Sequence, residues 1–570
     1  MITNLYQKTA RFLCCVLLVL SAQSYSSAQA ATNNTVRKNA PLNEAEIQKW
    51  REDLHYMAQK MPLFHNNLFH TMRREQFEAA IKRLDERIPM LARHQIIVEM
   101  QRIAAMVGDG HTNVYPTRDA KIGFRQLPVK MYFFKDGLFI RAATEVHAEI
   151  VGARVVKIGS ASVEQAYDAA RELIGRDNEM GAKFFAPHLL AIPEILHALG
   201  LIDDMENARF TVEKGGKQKI VELKPAGLTD LMAGDTDKSW MPKPGWIDAR
   251  AGAPISNHHW LKDPENKFWY EYLPDKKTVY VQFNEVGNKK DETLAAFSKR
   301  LFDFVDANPV EKLILDLRLN RGGNGELNRP FLLNIIKANK INQKGKLFAI
   351  IGRSTFSAAQ FLVNDLEKFT NTIFVGEPTG SKGNHYGDSR RIYLPNSGIT
   401  VRVSVYYWQA WHPTDSRFWT PPDLTAELAF EDYRLNSDPA LKMILDYAPR
   451  KSLRETLDEA ITQGGVDLAV KRFQEFTADP VNRYVSVDLP LREAGQRLLD
   501  EKKPEQAAIL FEVNTARNPY SFQAYFAVGE AYLKAGKIDL ARKNFEKSLQ
   551  INPKNYDVIT RMEELKRKKQ

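Results

Sequence analysis

The apolar residues of this chain do not keep one period, and the changes of period limit the fold more than any single motif does. From about residue 43 to 107 they recur three and four apart, as in Ile47, Trp50, Leu54, Met57 and Met61 and again in Ile81, Leu84, Ile88 and Leu91, which predicts helices. From about Phe124 the pattern is that of strands. Val129 to Phe134, the turn Lys135-Asp136-Gly137 and Leu138 to Ala142 read as a hairpin; Val155 to Ile158, a helix from Val163 to Leu173, Arg209 to Glu213 and Lys219 to Leu223 complete a β-rich unit. The stretch 227–267, with Trp240, Trp246 and Trp260, has no sustained period and is expected to be a long connection lying on a surface. Strands and helices then alternate: strands at Thr278 to Phe283, Leu313 to Leu317, Leu347 to Ile351 and Ile373 to Val375, helices at Leu294 to Val305, Arg329 to Lys340 and Ala358 to Phe369. That succession implies an α/β domain with helices against a buried sheet. The remainder is helical only. A length of 570 residues fits several domains, and with 44% apolar and 26% charged residues a disordered or fibrous chain is excluded.

The helical end carries a repeat. Ala541, Phe545 and Pro553 follow Ala507, Phe511 and Pro519 by 34 residues in each case, the period of a tetratricopeptide helix pair. Tyr525, Val528, Gly529 and Tyr532 fill the aromatic, aliphatic, small and aromatic positions of that motif, and Leu491, Ala494, Gly495 and Leu498 stand one period earlier. Helices at Leu453 to Ile461 and Val466 to Phe473 read as a further, irregular pair. Repeats need neighbours to bury their faces, so the tail is expected to dock on itself or on the α/β domain, as a cap or as a surface for a protein partner.

The first thirty residues read as an address. Lys8 and Arg11 precede the apolar run Phe12 to Leu20, and Ala28-Gln29-Ala30 ends it as a cleavage site would. Nine apolar residues are too few to span a bilayer, so an exported protein with no membrane span after cleavage is expected, periplasmic or extracellular. Cys14 and Cys15, the two cysteines of the chain, lie inside this leader, which removes a cysteine nucleophile and disulfides alike. A net charge of +10 spread over the whole length is not the basic stripe that nucleic acids require, and the cluster Lys566 to Lys569 suits a solvated helix end.

Three segments carry chemistry. Leu347 to Phe361 is a strand, a sharp turn and a helix that begins at Ser357, where a hydroxyl is exposed beside the N–H groups of a helix start. Leu313 to Asn324 is a strand that ends in Gly322-Gly323, glycines that let backbone approach a ligand. Gly108-Asp109-Gly110-His111-Thr112 sets a histidine in a turn after a helix. Each has an ordinary reading: an N-cap, a tight turn, a surface histidine. No H-E-x-x-H is present, Gly376 to Lys382 fails the phosphate-loop spacing, and His258-His259 reads as surface, so neither a metal nor an organic cofactor is expected.

Taken together, Asp109 to Thr112, Leu315 to Gly323, Ser357 to Gln360 and Val375 to Gly380 resemble, in order and spacing, the tail-specific (C-terminal-processing) serine peptidases, most closely the tricorn-core branch. The resemblance covers roughly residues 43–431. It implies a multidomain α/β protein: a helical N-terminal domain over 43–120, a PDZ-like domain with a helical insertion over 121–226, the irregular connection 227–267, a crotonase/Clp-like catalytic domain over 268–431, a helical linker over 436–487 and the all-α repeats over 488–566. It also implies Ser357 as nucleophile and an oxyanion hole of backbone N–H groups at Gly323 and Ala358, with Gly322 holding the turn. Two bases stay open. His111 matches the tricorn-like histidine, and Lys382, 25 positions beyond the serine, matches the processing-protease lysine. A histidine is neutral near neutral pH whereas a lysine must be buried to be so, and the surroundings of Lys382 read as a solvated loop, which favours His111. Asp415 stands one residue off the register of the family's acid. Gln360 replaces the usual Glu, and Arg321 the usual Pro.

The expected function is hydrolysis of polypeptides or peptides through an acyl-enzyme on Ser357. The alternative is a catalytically inert scaffold that binds proteins through its PDZ-like and repeat parts. Side chains from 227–267 and loop residues Tyr406, Tyr407 and Trp408 are expected to shape the pocket.

Overall fold

The computed structural model describes residues 42–116, 119–227, 240, 244–253, 259–413, 415 and 417–567. The stretch 1–30 expected to be a leader, His258, Lys568 and Lys569 lie outside the described residues. Helices Glu44–Phe64, Arg74–Arg87 and Arg93–Ala105 open the fold, the first capped by Asn43, whose side chain accepts the Glu46 N–H. Ile47, Trp50, Leu54, Met57 and Met61 are buried along one face of that helix, as their spacing predicts.

An antiparallel sheet follows. Val129–Phe134 pairs with Gly137–Thr144, which also meets Arg154–Ile158 and Trp246–Asp248; Arg154–Ile158 continues to Ala208–Lys214 and Lys217–Leu223. Helix Val163–Arg171 packs on it, and helices Glu179–Leu189 and Pro193–Ala198 form the inserted pair. One apolar cluster runs from the opening helices through this sheet to Ile392, Leu394, Val401 and Val403, so the first two units share a core.

The second sheet has six strands in the order Phe268–Leu273, Thr278–Phe283, Lys312–Asp316, Leu347–Ile351, Ile373–Gly376 and Leu424–Thr425, with the first pair antiparallel and the rest parallel. Its middle strands are largely apolar and buried at every position but Lys312 because both faces are covered: helices Leu294–Ala307, Asn328–Lys337 and Ala358–Phe369 on one side, Pro439–Leu445 on the other. A long hairpin, Asn384–Tyr393 with Thr400–Gln409, leaves this domain and pairs with Asn113–Val114, which carries the His111 loop to the serine.

The 227–267 stretch differs from the expectation of a surface connection. Its Trp240 and Trp260 are buried with Phe134, Leu319, Phe430 and Tyr433 between the two sheets, where Arg141 lies over the Trp240 ring and Arg318 over that of Trp260. Tyr406, Tyr407 and Trp408 lie on the strand Thr400–Gln409 and not in a loop, since they alternate across the hairpin with Gly387, Tyr386 and His385.

The tail begins with Leu453–Ala478, where the non-helical backbone of Gly464 (φ −152°) and Gly465 (φ 73°) separates two helices, as expected, and continues through Asp488–Asp500, Pro504–Arg517, Phe522–Lys534, Ile538–Ile551 and Tyr556–Arg567. A Cβ on Gly495 would lie 2.3 Å from the Phe511 ring, and one on Gly529 would lie 2.3 Å from the Phe545 ring. The two contacts are equivalent one period apart, which is why the glycine recurs with the phenylalanine. At its base Arg483 and the Tyr484 hydroxyl meet Glu427 of the α/β domain at 2.8 and 3.1 Å.

Candidate active site

Ser357 is the last residue of the turn between the strand Leu347–Ile351 and the helix Ala358–Phe369, and its backbone is at φ 56°, ψ −124°. A non-glycine residue held there costs about 1–3 kcal/mol and persists where the surrounding structure fixes it. The turn is fixed from several sides: Thr355 Oγ1 donates to the Leu317 carbonyl, the Phe356 N–H to the Asn320 carbonyl, and the Ser357 N–H to Ser381 Oγ. The result lifts the Ser357 hydroxyl out at the head of a helix.

His111 arrives from the other unit. Its Nε2 lies 3.1 Å from Ser357 Oγ. Asp109 makes the loop rigid: Oδ1 accepts the N–H groups of His111 and Thr112 and the Ser404 hydroxyl, and Oδ2 is 3.0 Å from His65 Nε2. His65 Nδ1 accepts the Asn67 N–H, so its Nε2 carries the proton given to Asp109. Burial alone would raise the Asp109 carboxyl, but the hydrogen bonds of His65 and Ser404 outweigh it and hold it down at about 2. The His111 ring stacks on Phe356 with centroids 4.6 Å apart and lies parallel to His385 at 5.8 Å. Burial first, then His385, lowers the proton affinity of His111 below the ordinary histidine value, against the pull of Asp177, Asp109 and Asp388. The imidazole is therefore neutral at neutral pH, the state that accepts a proton.

Gly322 has φ 95°, and a Cβ there would lie 2.7 Å from the Ala358 nitrogen and 2.8 Å from the Ser357 Cβ, so only glycine permits this approach. Its N–H is donated to Asn320 Oδ1 at 2.9 Å and holds the turn. The neighbouring Gly323, at φ 139°, is held by a bridge to Val286. Among the described residues no acceptor meets the N–H of Gly323, which follows Gly322 in the chain, or of Ala358, which follows Ser357 as the first residue of its helix.

The other residues singled out from the sequence lie as follows. Lys382 makes no hydrogen bond to Ser357 among the described residues; its Nζ lies over the Phe418 ring at 5.6 Å, and its carbonyl faces His385 Nδ1 at 3.1 Å. Its surroundings are not the solvated loop expected: Ser381 and His385 are buried, because the hairpin starting at Asn384 folds over this segment. Asp415 is not brought to His111 by any hydrogen bond; Arg417 engages its carboxylate at 2.8 Å and reaches on to Glu367. Gln360 is buried and donates to Asn364 and Thr420, and Arg321 lies over the rings of Phe184 and Phe185. These phenylalanines, Gly110, Phe356, Arg321 and Ser354 line a small hollow of about 10 Å³ next to the serine's chain neighbour Phe356. Ser381, His385 and Asp177 were not legible as site residues, because nothing in their local sequence marks them and only long-range packing delivers them.

Comparison with known proteins gives three results. The tetratricopeptide repeat model matches residues 522–555, so the repeat read from the sequence is present in the tail. A search of curated protein sequences returns no match. Among solved structures the chain is similar to mature CPAF at 12% identity, over 74% of this chain and 98% of that one with a TM-score of 0.47. It is similar to the photosystem II D1 C-terminal processing protease at 14% identity, over 67% and 93% with a TM-score of 0.29. It is similar to the tricorn protease at 15% identity, over 70% of this chain and 36% of that one with a TM-score of 0.30.

Proposed function

We propose that this chain is an exported serine peptidase of the tail-specific type that cleaves polypeptides through an acyl-enzyme on Ser357. The observation that carries the reading is the 3.1 Å approach of His111 Nε2 to the Ser357 hydroxyl at a strained helix head, beside two N–H groups without an acceptor among the described residues. His111 takes the Oγ proton as Oγ bonds to the peptide carbonyl carbon, and the N–H groups of Gly323 and Ala358 hold the oxyanion. Collapse breaks the C–N bond, and the imidazolium gives its proton to the leaving amine. Water, deprotonated by the same imidazole, then releases the acyl group and restores Ser357. None of these steps calls on a metal or an organic cofactor.

In this reading the sheet spanning residues 129–223 is the PDZ-like domain, the six-stranded sheet with its helices the crotonase/Clp-like core, and the tetratricopeptide tail a site for a protein partner. The leader directs export, and among the described residues no helix is long and apolar enough to cross a membrane. Lys382, held beside Phe418, serves the walls of the site and not the proton transfer.

The test is labelling by a fluorophosphonate together with hydrolysis of casein. Wild-type protein is expected to be labelled and active and Ser357→Ala to be neither. A folded wild type that takes no label and cleaves nothing would instead establish the inert scaffold.

A further inference from the structure

We propose that Asp177 is the carboxylate that positions and polarises His111, so that the proton relay reads Ser357, His111, Asp177. The inference rests on Ser357 and His111 being nucleophile and base. When Nε2 accepts the serine proton, Nδ1 must carry the other ring proton. Nδ1 of His111 is buried and meets no acceptor among the described residues. On the same loop, Asp177 Oδ1 accepts the Gly110 N–H at 2.8 Å, whereas the second oxygen of this buried side chain, Oδ2, meets no donor among the described residues. A buried donor and a buried acceptor left unsatisfied cost about 1–3 kcal/mol each, one bridging water would satisfy both with Nε2 still on Ser357, and of the carboxylates acting on His111 the charge of Asp177 does most to raise its proton affinity.

The charged and titratable groups around His111 leave one candidate. Asp109 belongs to the same loop, but its two oxygens are filled by His65, Ser404 and the N–H groups of His111 and Thr112. Asp388, on the hairpin, is exposed and accepts the Trp408 indole N–H at 2.8 Å. His385 lies parallel to His111, with Nδ1 facing the Lys382 carbonyl, and adds no negative charge. Asp415 is engaged by Arg417. Asp177 alone among them is a buried carboxylate with an oxygen to spare.

Its segment is also built to hold position. Asn113 Nδ2 donates to the Gly110 carbonyl and Oδ1 accepts the Gly175 N–H, which fastens residues 175–178 to the His111 loop. Asn178, next to Asp177, caps the helix Glu179–Leu189 with its Oδ1 and donates through Nδ2 to the carbonyls of Thr379 and Phe418 at 3.1 and 2.7 Å. The inserted helix pair therefore clamps the histidine loop to the domain that carries the serine. The same contacts make Asp177 a positioning residue, one that acts on substrate through His111.

Asp177→Asn keeps the size and an acceptor for the Gly110 N–H but removes the charge. Its kcat is expected to fall about 10–100-fold at unchanged KM. Because the carboxylate favours the imidazolium, its loss moves the His111 titration, followed by NMR of the ring nitrogens, to lower pH, and the acid limb of kcat/KM moves with it. Asp177→Glu is expected to recover part of both. A His111 that titrates at the same pH in folded Asp177→Asn and wild type overturns the proposal, and Asp177→Ser repeats the comparison if the amide variant fails to fold. The titration does not need turnover. Loss of the peptidase reading, seen as labelling that survives Ser357→Ala, is thus distinguishable from loss of this one.

Discussion

In the tail, Gly529 and Phe545 meet across sixteen residues and Gly495 and Phe511 across the same interval, whereas His111 and Ser357 meet across 246. The first kind of contact is written inside one helix pair and its neighbour, and a repeat array is stabilised by a sum of such terms. The second exists only when the opening helices, the hairpin Asn384–Tyr393 with Thr400–Gln409, and the parallel sheet are all in place. The same chain therefore holds a part in which damage stays local and a part in which one displaced loop separates two reacting atoms.

The largest break expected in that comparison is at Gly322. Gly322→Ala puts a methyl group 2.7 Å from the Ala358 nitrogen on a backbone at φ 95°. Labelling of Ser357 is expected to fall about 10³-fold, as for loss of an oxyanion donor, while the unfolding transition of the tail stays where it was. Next, Phe545→Ala empties a fully buried position and is expected to cost the tail about 3–5 kcal/mol in denaturant unfolding, with hydrolysis of a short peptide unchanged. Loss of peptide hydrolysis in that variant would mean that the two regions are coupled. A smaller effect is expected from Ser381→Ala, which removes the acceptor of the Ser357 N–H: acylation about tenfold slower at an unaltered melting temperature.

The smallest effect is that of pH. The last histidine in the chain is His412, so none lies in the repeats. His94, paired with His197 at 2.9 Å, is lowered to about 4, by burial first and then by His197. Unfolded, it takes up a proton near about 6.5; folded, it does not until about 4. The unfolded state binds more protons in that window, so stability rises with pH there and is lost as the pH falls from about 6.5 towards 4. His111 adds in the same direction. A calorimetric scan at pH 5 against pH 7 is expected to bring the body's transition down by a few degrees and leave the tail's in place.

How much of this was legible in the sequence follows the same division. The repeat, the helix faces of residues 44–105 and the parallel strands were readable because each is a short-range pattern: Leu313 to Leu317 and Leu347 to Ile351 are apolar runs that only a sheet covered on both faces accommodates. Ser357, His111, Gly322, Gly323 and Ala358 were named from motif order; among them His111 meets Ser357 at 3.1 Å, and Gly322 packs against Ser357 and Ala358. The strand Phe268–Leu273 was missed because five of its six residues are half-buried, which leaves no alternation to see. Lys382 was misjudged because small polar neighbours suggest solvent, yet the hairpin covers them. Asp177 was invisible because the one hydrogen bond of its carboxylate among the described residues is with the backbone N–H of Gly110, 67 residues away, and a backbone partner leaves no mark in the sequence. Backbone strain at Ser357 has no sequence signal at all.

The central claim is that the histidine from the distant loop, and not the lysine near the serine in sequence, takes the Ser357 proton. The rate of fluorophosphonate labelling of folded His111→Ala and Lys382→Ala at pH 7 tests it most directly. The account predicts a fall of about 10³-fold or more for His111→Ala, as large as for Ser357→Ala, and a change within about tenfold for Lys382→Ala. Undiminished labelling of His111→Ala together with none of Lys382→Ala would contradict it.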